Sequence, residues 1–224
     1  GKGLLAFDPD GTTLFTAREG YAEDGRHAFT RWNLTAGTAA ATHELPTRGP
    51  WAFFHLSAEG RTVFVARNQP ADGRVRAYDA KTGEERFLPR GHAGPALGVA
   101  ASPDGTTAAT VGGDQTVRLW SLAGWQPGAP QPPCRVLKGH TNEAWSVAFH
   151  PDGTRLASGG NDGVIRVWDA ADGRLVHELT GHSPTHANVT FSPDGRFVTA
   201  GGRNGTINRW NAETVQSLEP WRWH

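Results

Sequence analysis

The sequence predicts an all-β chain made of repeated four-stranded antiparallel sheets, and three observations predict it. Apolar and polar residues alternate in short runs, such as Trp145–Phe149 and Leu156–Ser158, which is the period of a half-buried strand. Tight turn sequences separate the runs, among them Pro151-Asp152-Gly153 and Asn161-Asp162-Gly163, and such turns join antiparallel neighbours. The pattern also recurs at fixed offsets. His92 to Gly105, His140 to Gly153 and His182 to Gly195 are each 13 residues apart, and Gly105 to Trp120, Gly153 to Trp168 and Gly195 to Trp210 are each 15 apart. One sheet of this size cannot bury both of its faces, so the repeats are expected to stack as blades.

Taken in order, the first repeat has strands at Leu4–Phe7, Leu14–Ala17, Ala28–Trp32 and Thr42–Leu45, with Asp8-Pro9-Asp10-Gly11 turning the first pair. Gly11 to Trp32 is 21 residues, six more than in the regular repeats, which places the polar insertion Arg18–His27 between the second and third strands. The second repeat has strands at Phe53–Leu56, Val63–Ala66, Val75–Tyr78 and Glu85–Leu88, with Tyr78-Asp79 where other repeats have Trp. The third is regular from Gly91 to Trp120. The prolines of Ser121–Cys134 then exclude that stretch from a sheet interior, and the fourth strand falls around Val136-Leu137. The fourth repeat continues through Val164–Trp168 to Leu175–Leu179. The fifth has Ala187–Phe191, Phe197–Ala200, Ile207–Trp210 and Val215–Leu218, then an aromatic-rich tail, Glu219–His224. The expected units are residues 1–46, 47–90, 91–138, 139–180 and 181–218, with the tail at 219–224.

Gly139-His140 opens the fourth repeat and Trp168-Asp169 ends its third strand. At these dipeptides the chain resembles the WD-repeat β-propeller family, and the resemblance covers essentially the whole chain. It implies a β-propeller of four-stranded antiparallel blades. Seven blades are the commonest count in that family, so the five visible here are expected to be part of a seven-blade ring in a larger multidomain protein. If the ring is open, its two end blades expose apolar faces, which invites aggregation or dimerisation.

The resemblance also implies a hydrogen-bonded tetrad inside each regular blade: His92, Thr110, Asp114 and Trp120 in the third, and His140, Ser158, Asp162 and Trp168 in the fourth. The chemistry suits such a set. An imidazole can donate from one nitrogen and accept at the other, a hydroxyl does both, and an indole N–H only donates. Ser, His and Asp together invite a catalytic reading, but the set recurs in two repeats, each copy closed by Trp, without a nucleophile elbow. No catalytic residue is therefore expected. The pattern decays elsewhere: the fifth repeat has Ala200 and Asn204 in place of the hydroxyl and the Asp, and the first keeps only Thr16 and Trp32.

Composition narrows the function. Lys+Arg and Asp+Glu are both 22, with no basic run, so nucleic acid is not an expected partner. No run is long and apolar enough to span a membrane. The single cysteine, Cys134, rules out an internal disulfide framework, and the expected location is cytoplasmic. His182 and His186 lie four apart, a helical spacing in a chain of strands, so no metal or cofactor is expected. His150, in a turn, is expected to be solvated.

The expected activity is a non-catalytic scaffold that binds protein or peptide partners on the propeller face. Candidate contact residues are Asn142, Glu143, Trp145, Asn161 and Arg203. Trp145 stands where other repeats have Leu97 and Ala187, and an exposed aromatic there would anchor a partner; packing between blades is the alternative. A propeller-type hydrolase or lactonase would need carboxylates or histidines converging on the channel. A small-ligand or sugar-binding propeller would need Trp residues repeated outside the structural positions.

Overall fold

The computed structural model describes residues 5–8, 10–18, 26–48, 52–57, 60–67, 75–87, 91–124, 132–181, 188–202 and 205–222. They form five four-stranded antiparallel sheets, each built from four strands consecutive in sequence. Sheet 1 comprises β1 (Leu5–Phe7), β2 (Thr13–Arg18), β3 (Arg26–Asn33) and β4 (Thr38–Arg48). Sheet 2 comprises β5 (Ala52–Leu56), β6 (Thr62–Arg67), β7 (Val75–Asp79) and β8 (Glu85–Phe87). Sheet 3 comprises β9 (Ala96–Ala101), β10 (Thr107–Gly112), β11 (Thr116–Ser121) and β12 (Cys134–Lys138). Sheet 4 comprises β13 (Ala144–Phe149), β14 (Arg155–Gly160), β15 (Ile165–Asp169) and β16 (Leu175–Leu179). Sheet 5 comprises β17 (Asn188–Phe191), β18 (Phe197–Gly201), β19 (Thr206–Asn211) and β20 (Ser217–Arg222).

The turns follow from their side chains. In the turn between β13 and β14, the Gly153 N–H bonds the His150 carbonyl at 2.9 Å, and Asp152 Oδ1 accepts the Thr154 N–H at 2.8 Å. The same Asp-Gly-Thr arrangement closes the turn between β9 and β10 through Asp104 and Thr106. An Asp that bonds the backbone two residues on pre-forms the turn and sets the register of the hairpin.

Several boundaries differ from the sequence reading: β4 spans Thr38–Arg48 rather than Thr42–Leu45, and Ser121 and Cys134, at the two ends of the proline-rich stretch, belong to β11 and β12. Arg26 and His27 belong to β3 rather than to the insertion, and His27 is fully buried. Residues 19–25 of that insertion and 125–131 of the proline-rich stretch lie outside the described residues. The last strand begins at Ser217 rather than Val215, because Val215 completes a turn with φ 63° and its N–H on the Asn211 carbonyl. Residues Glu219–Arg222 of the expected tail are thereby part of β20.

The core lies between sheets. Leu156 and Trp168 of sheet 4 pack on Ala109, Val117 and Leu119 of sheet 3. Val198 and Trp210 of sheet 5 pack on Ala157, Ile165 and Val167 of sheet 4. Trp120 of sheet 3 meets Phe64, Val75 and Ala77 of sheet 2, and Tyr78 of sheet 2 meets Phe15 and Phe29 of sheet 1. Each aromatic face therefore seats on the opposite face of the preceding sheet. Trp32, at the same position in sheet 1, is 37 % exposed, and Leu5 and Phe7 of the same sheet are exposed as well.

Candidate functional site

Two hydrogen-bonded sets stand at equivalent places in sheets 3 and 4. In sheet 4, Trp168 Nε1 donates to Ser158 Oγ at 2.8 Å, and Ser158 Oγ lies 2.8 Å from His140 Nε2. His140 Nδ1 lies 3.0 Å from Asp162 Oδ2. Sheet 3 repeats the arrangement: Trp120 Nε1 to Thr110 Oγ1 at 3.0 Å, Thr110 Oγ1 to His92 Nε2 at 2.9 Å, and His92 Nδ1 to Asp114 Oδ1 at 2.7 Å. With an ionised Asp the donors run one way, from indole to hydroxyl to imidazole to carboxylate, and each polar atom is satisfied.

Burial pushes both carboxyls upward, but their hydrogen bonds outweigh it. His92, Thr116 and the Ala93 N–H hold Asp114 well below the usual carboxylate range, and His140, the Thr141 N–H and Arg166 do the same for Asp162. Ser158 is fully buried, and its oxygen already contacts Trp168 and His140. A substrate carbonyl has no approach to it, although the Ser-His-Asp order mimics a hydrolytic triad.

Glycines admit the histidines. A Cβ on Gly112 would stand 2.6 Å from His92 Cγ, and one on Gly160 would stand 2.9 Å from His140 Nδ1. Asp162 also ties down the chain leading into β13, since its Oδ2 accepts the Thr141 N–H at 3.1 Å.

That chain carries the candidate contact residues. Trp145 is the extra residue of a β-bulge, because Ala144 pairs with Gly160 and Ser146 with Gly159. A bulge re-aims the side chain it carries. Leu97 takes the same place in the bulge of β9 and is buried, whereas Trp145 is half-buried. Glu143 Oε2 accepts Asn161 Nδ2 at 3.2 Å, and the Glu143 carbonyl accepts the Asn161 N–H at 2.9 Å. Asn142 is exposed, with its Oδ1 on the Glu143 N–H. Asn142, Glu143, Trp145 and Asn161 thus share one rim of sheet 4. Arg203, and with it His182, His186 and Asn204, lies outside the described residues.

Sequence reasoning missed two features. One is an arginine on the third strand. Arg166 NH1 donates to Asp162 Oδ2 at 2.6 Å, and its Nε lies 2.9 Å from Glu178. Arg118 reaches Asp114 at 3.4 Å, and Arg76 pairs with Glu85 at 3.0 Å. The signal was present: Arg stands two residues before the aromatic in VRAYD, VRLWS and IRVWD. The other is His150, which is buried rather than solvated. Its Nε2 lies 3.0 Å from the Gly195 carbonyl of the next sheet.

Among the described residues, no group of three or more His, Cys, Asp or Glu is placed to hold a metal ion, and no helix is long and apolar enough to cross a membrane. No curated protein matches the chain. The family model described as WD domain, G-beta repeat matches residues 83–121, 131–169 and 173–211, together more than half of the chain. Each match begins at the last strand of one sheet and ends with the third strand of the next. With five four-stranded antiparallel sheets and these three repeats, the chain belongs to the WD40 repeat family.

Proposed function

We propose that the chain is a non-catalytic scaffold that holds protein or peptide partners at the rim of sheet 4, with Trp145 as the anchor. The observation that carries this reading is the bulge at Trp145, which leaves a large aromatic half-buried where Leu97 is buried. A partly exposed aromatic with polar residues on the same rim suits an interaction anchor. Members of the WD40 family commonly serve as protein-interaction scaffolds.

The tetrads support the reading through rigidity. Asp162 joins the loop before β13 to the turn before β15, and Glu143 joins the same two segments through Asn161. A platform ordered before the partner arrives spends less of the binding energy on ordering itself.

The test is selection of peptides from a displayed random library on the immobilised chain, followed by affinity measurement on Trp145→Ala. Loss of at least about tenfold in affinity, with an unchanged melting temperature, supports the rim. Undiminished binding moves the site elsewhere, and an unfolded variant assigns Trp145 to packing.

A further inference from the structure

The first strands of sheets 2 to 5, β5, β9, β13 and β17, run side by side. They line a cavity of about 460 Å³. Its wall is made mainly of small and apolar side chains, Ala100, Ala148, Val189 and Phe149 among them. Among the described residues, two polar side chains break that lining. Thr190 donates its hydroxyl to the Phe191 carbonyl at 3.3 Å. The other is His55, the one titratable group among the described lining residues, which is half-buried and receives no hydrogen bond from a described residue.

Burial pulls the His55 pKa down to about 4, so at pH 7 the ring is neutral and offers one donor and one acceptor. Among the described residues, no Lys, Arg, Asp or Glu lines the cavity, and an ion inside would lack a counter-charge from them. The volume lies within the usual range of small-molecule pockets.

We propose that this cavity binds a small uncharged molecule, largely apolar, whose hydroxyl hydrogen-bonds to the His55 imidazole; a phenol is the simplest member of the class. The site is separate from the rim. The part of β13 that lines the cavity starts at Val147, two residues from Trp145 and about 7 Å along the strand, and the cavity and the rim share no residue. Failure of one site therefore leaves the other standing.

The test is NMR titration of the isotopically labelled full chain at pH 7 with three probes of one shape: p-cresol, toluene and 4-methylbenzoate. p-Cresol is expected to shift the His55 ring and Ala148 methyl signals saturably. Toluene should bind at least about fivefold more weakly for want of one hydrogen bond, and the carboxylate should leave both signals unmoved. His55→Leu should lower p-cresol affinity to the toluene value. Ala148→Leu, which narrows the cavity and keeps the imidazole, should abolish binding of both. The proposal is overturned if p-cresol leaves His55 and Ala148 unshifted at its solubility limit, if the three probes bind equally, or if His55→Leu binds p-cresol undiminished. Should either variant fail to fold, the shifts on the unaltered chain decide.

Discussion

His150 Nε2 stands 3.0 Å from the carbonyl oxygen of Gly195, which joins the turn between β13 and β14 to the turn between β17 and β18. The imidazole also meets the Phe191 ring edge-on, with centroids 5.0 Å apart. In sheets 3 and 5 the equivalent residues are Ser102 and Ser192, whose hydroxyls stay within their own turns on Asp104 and Asp194. A serine at position 150 can make those same local bonds, so exchanging the two isolates the contact between sheets.

His150→Ser is therefore expected to cost about 1–2 kcal/mol, for one buried hydrogen bond and the edge contact. Gly195→Ala should also destabilise, because Gly195 has φ 72° and a Cβ there would collide with the His150 ring. The double variant should cost less than the two single costs added, since removing the imidazole relieves the collision. Urea denaturation of the four proteins measures this, and strict additivity would argue against the contact.

Ser158→Ala strands two buried partners, the Trp168 N–H and the His140 Nε2. A cost of about 2–4 kcal/mol is expected. Ser158→Thr should be far milder, because Thr110 makes both bonds in sheet 3. Trp168→Ala should cost about 3–5 kcal/mol. Trp32→Ala should cost clearly less, since Trp32 is 37 % exposed although its N–H bonds Thr16 at 2.8 Å. Melting temperatures ranked in any other order would contradict the burial of Trp168.

The two arginines on Asp carboxylates should differ. Arg166 is buried and lies 2.6 Å from Asp162, whereas Arg118 is more exposed and lies 3.4 Å from Asp114. Arg166→Met should cost about 3 kcal/mol or more, because it leaves a buried carboxylate short of a partner. Arg118→Met should cost less, about 1 kcal/mol, because the 3.4 Å contact is longer and the guanidinium keeps more of its solvent. Equal losses in chemical denaturation would remove the distinction.

Acid should act in two stages. His55 has a folded pKa of about 4 against an ordinary 6.5, so below pH 6.5 the unfolded chain takes up the proton first. Stability should then fall between pH 6.5 and 4, at up to about 1.4 kcal/mol per unit and by less for a partly exposed ring. Asp114 and Asp162 lie below their unfolded values. Their contribution is present above about pH 4 and is lost as pH falls through the folded values. His55→Leu should flatten the upper stage and leave the lower one, read as denaturation midpoint against pH.

The regular elements were legible because their causes are local. Alternation and Asp-Gly turns place β13 to β15 within a residue or two of the strands read from the sequence, and the family resemblance, not the spacing alone, grouped residues such as His140, Ser158, Asp162 and Trp168 that lie within hydrogen-bond distance of one another. What stayed illegible depends on neighbours. Nothing within the turn tells that His150 reaches the next sheet while Ser102 does not. The burial of Trp145 depends on a register shift against Gly159 and Gly160, and alternation alone misses a single extra residue. Val215 reads as a strand residue by propensity, yet the turn bond to Asn211 claims it.

The sequence repeat and the sheet are out of phase by one strand, since residues 131–169 supply β12 to sheet 3 and β13–β15 to sheet 4. No repeat owns a complete sheet, so each is stapled to its neighbour by the chain itself as well as by the core between them. Cutting the chain at a repeat boundary takes the closing strand from the sheet before it. Duplicating one repeat in place adds a whole sheet with both of its junctions intact. Growth and loss of such an array are thereby asymmetric: a unit is gained without a scar, but a truncation leaves an unpaired strand edge behind it.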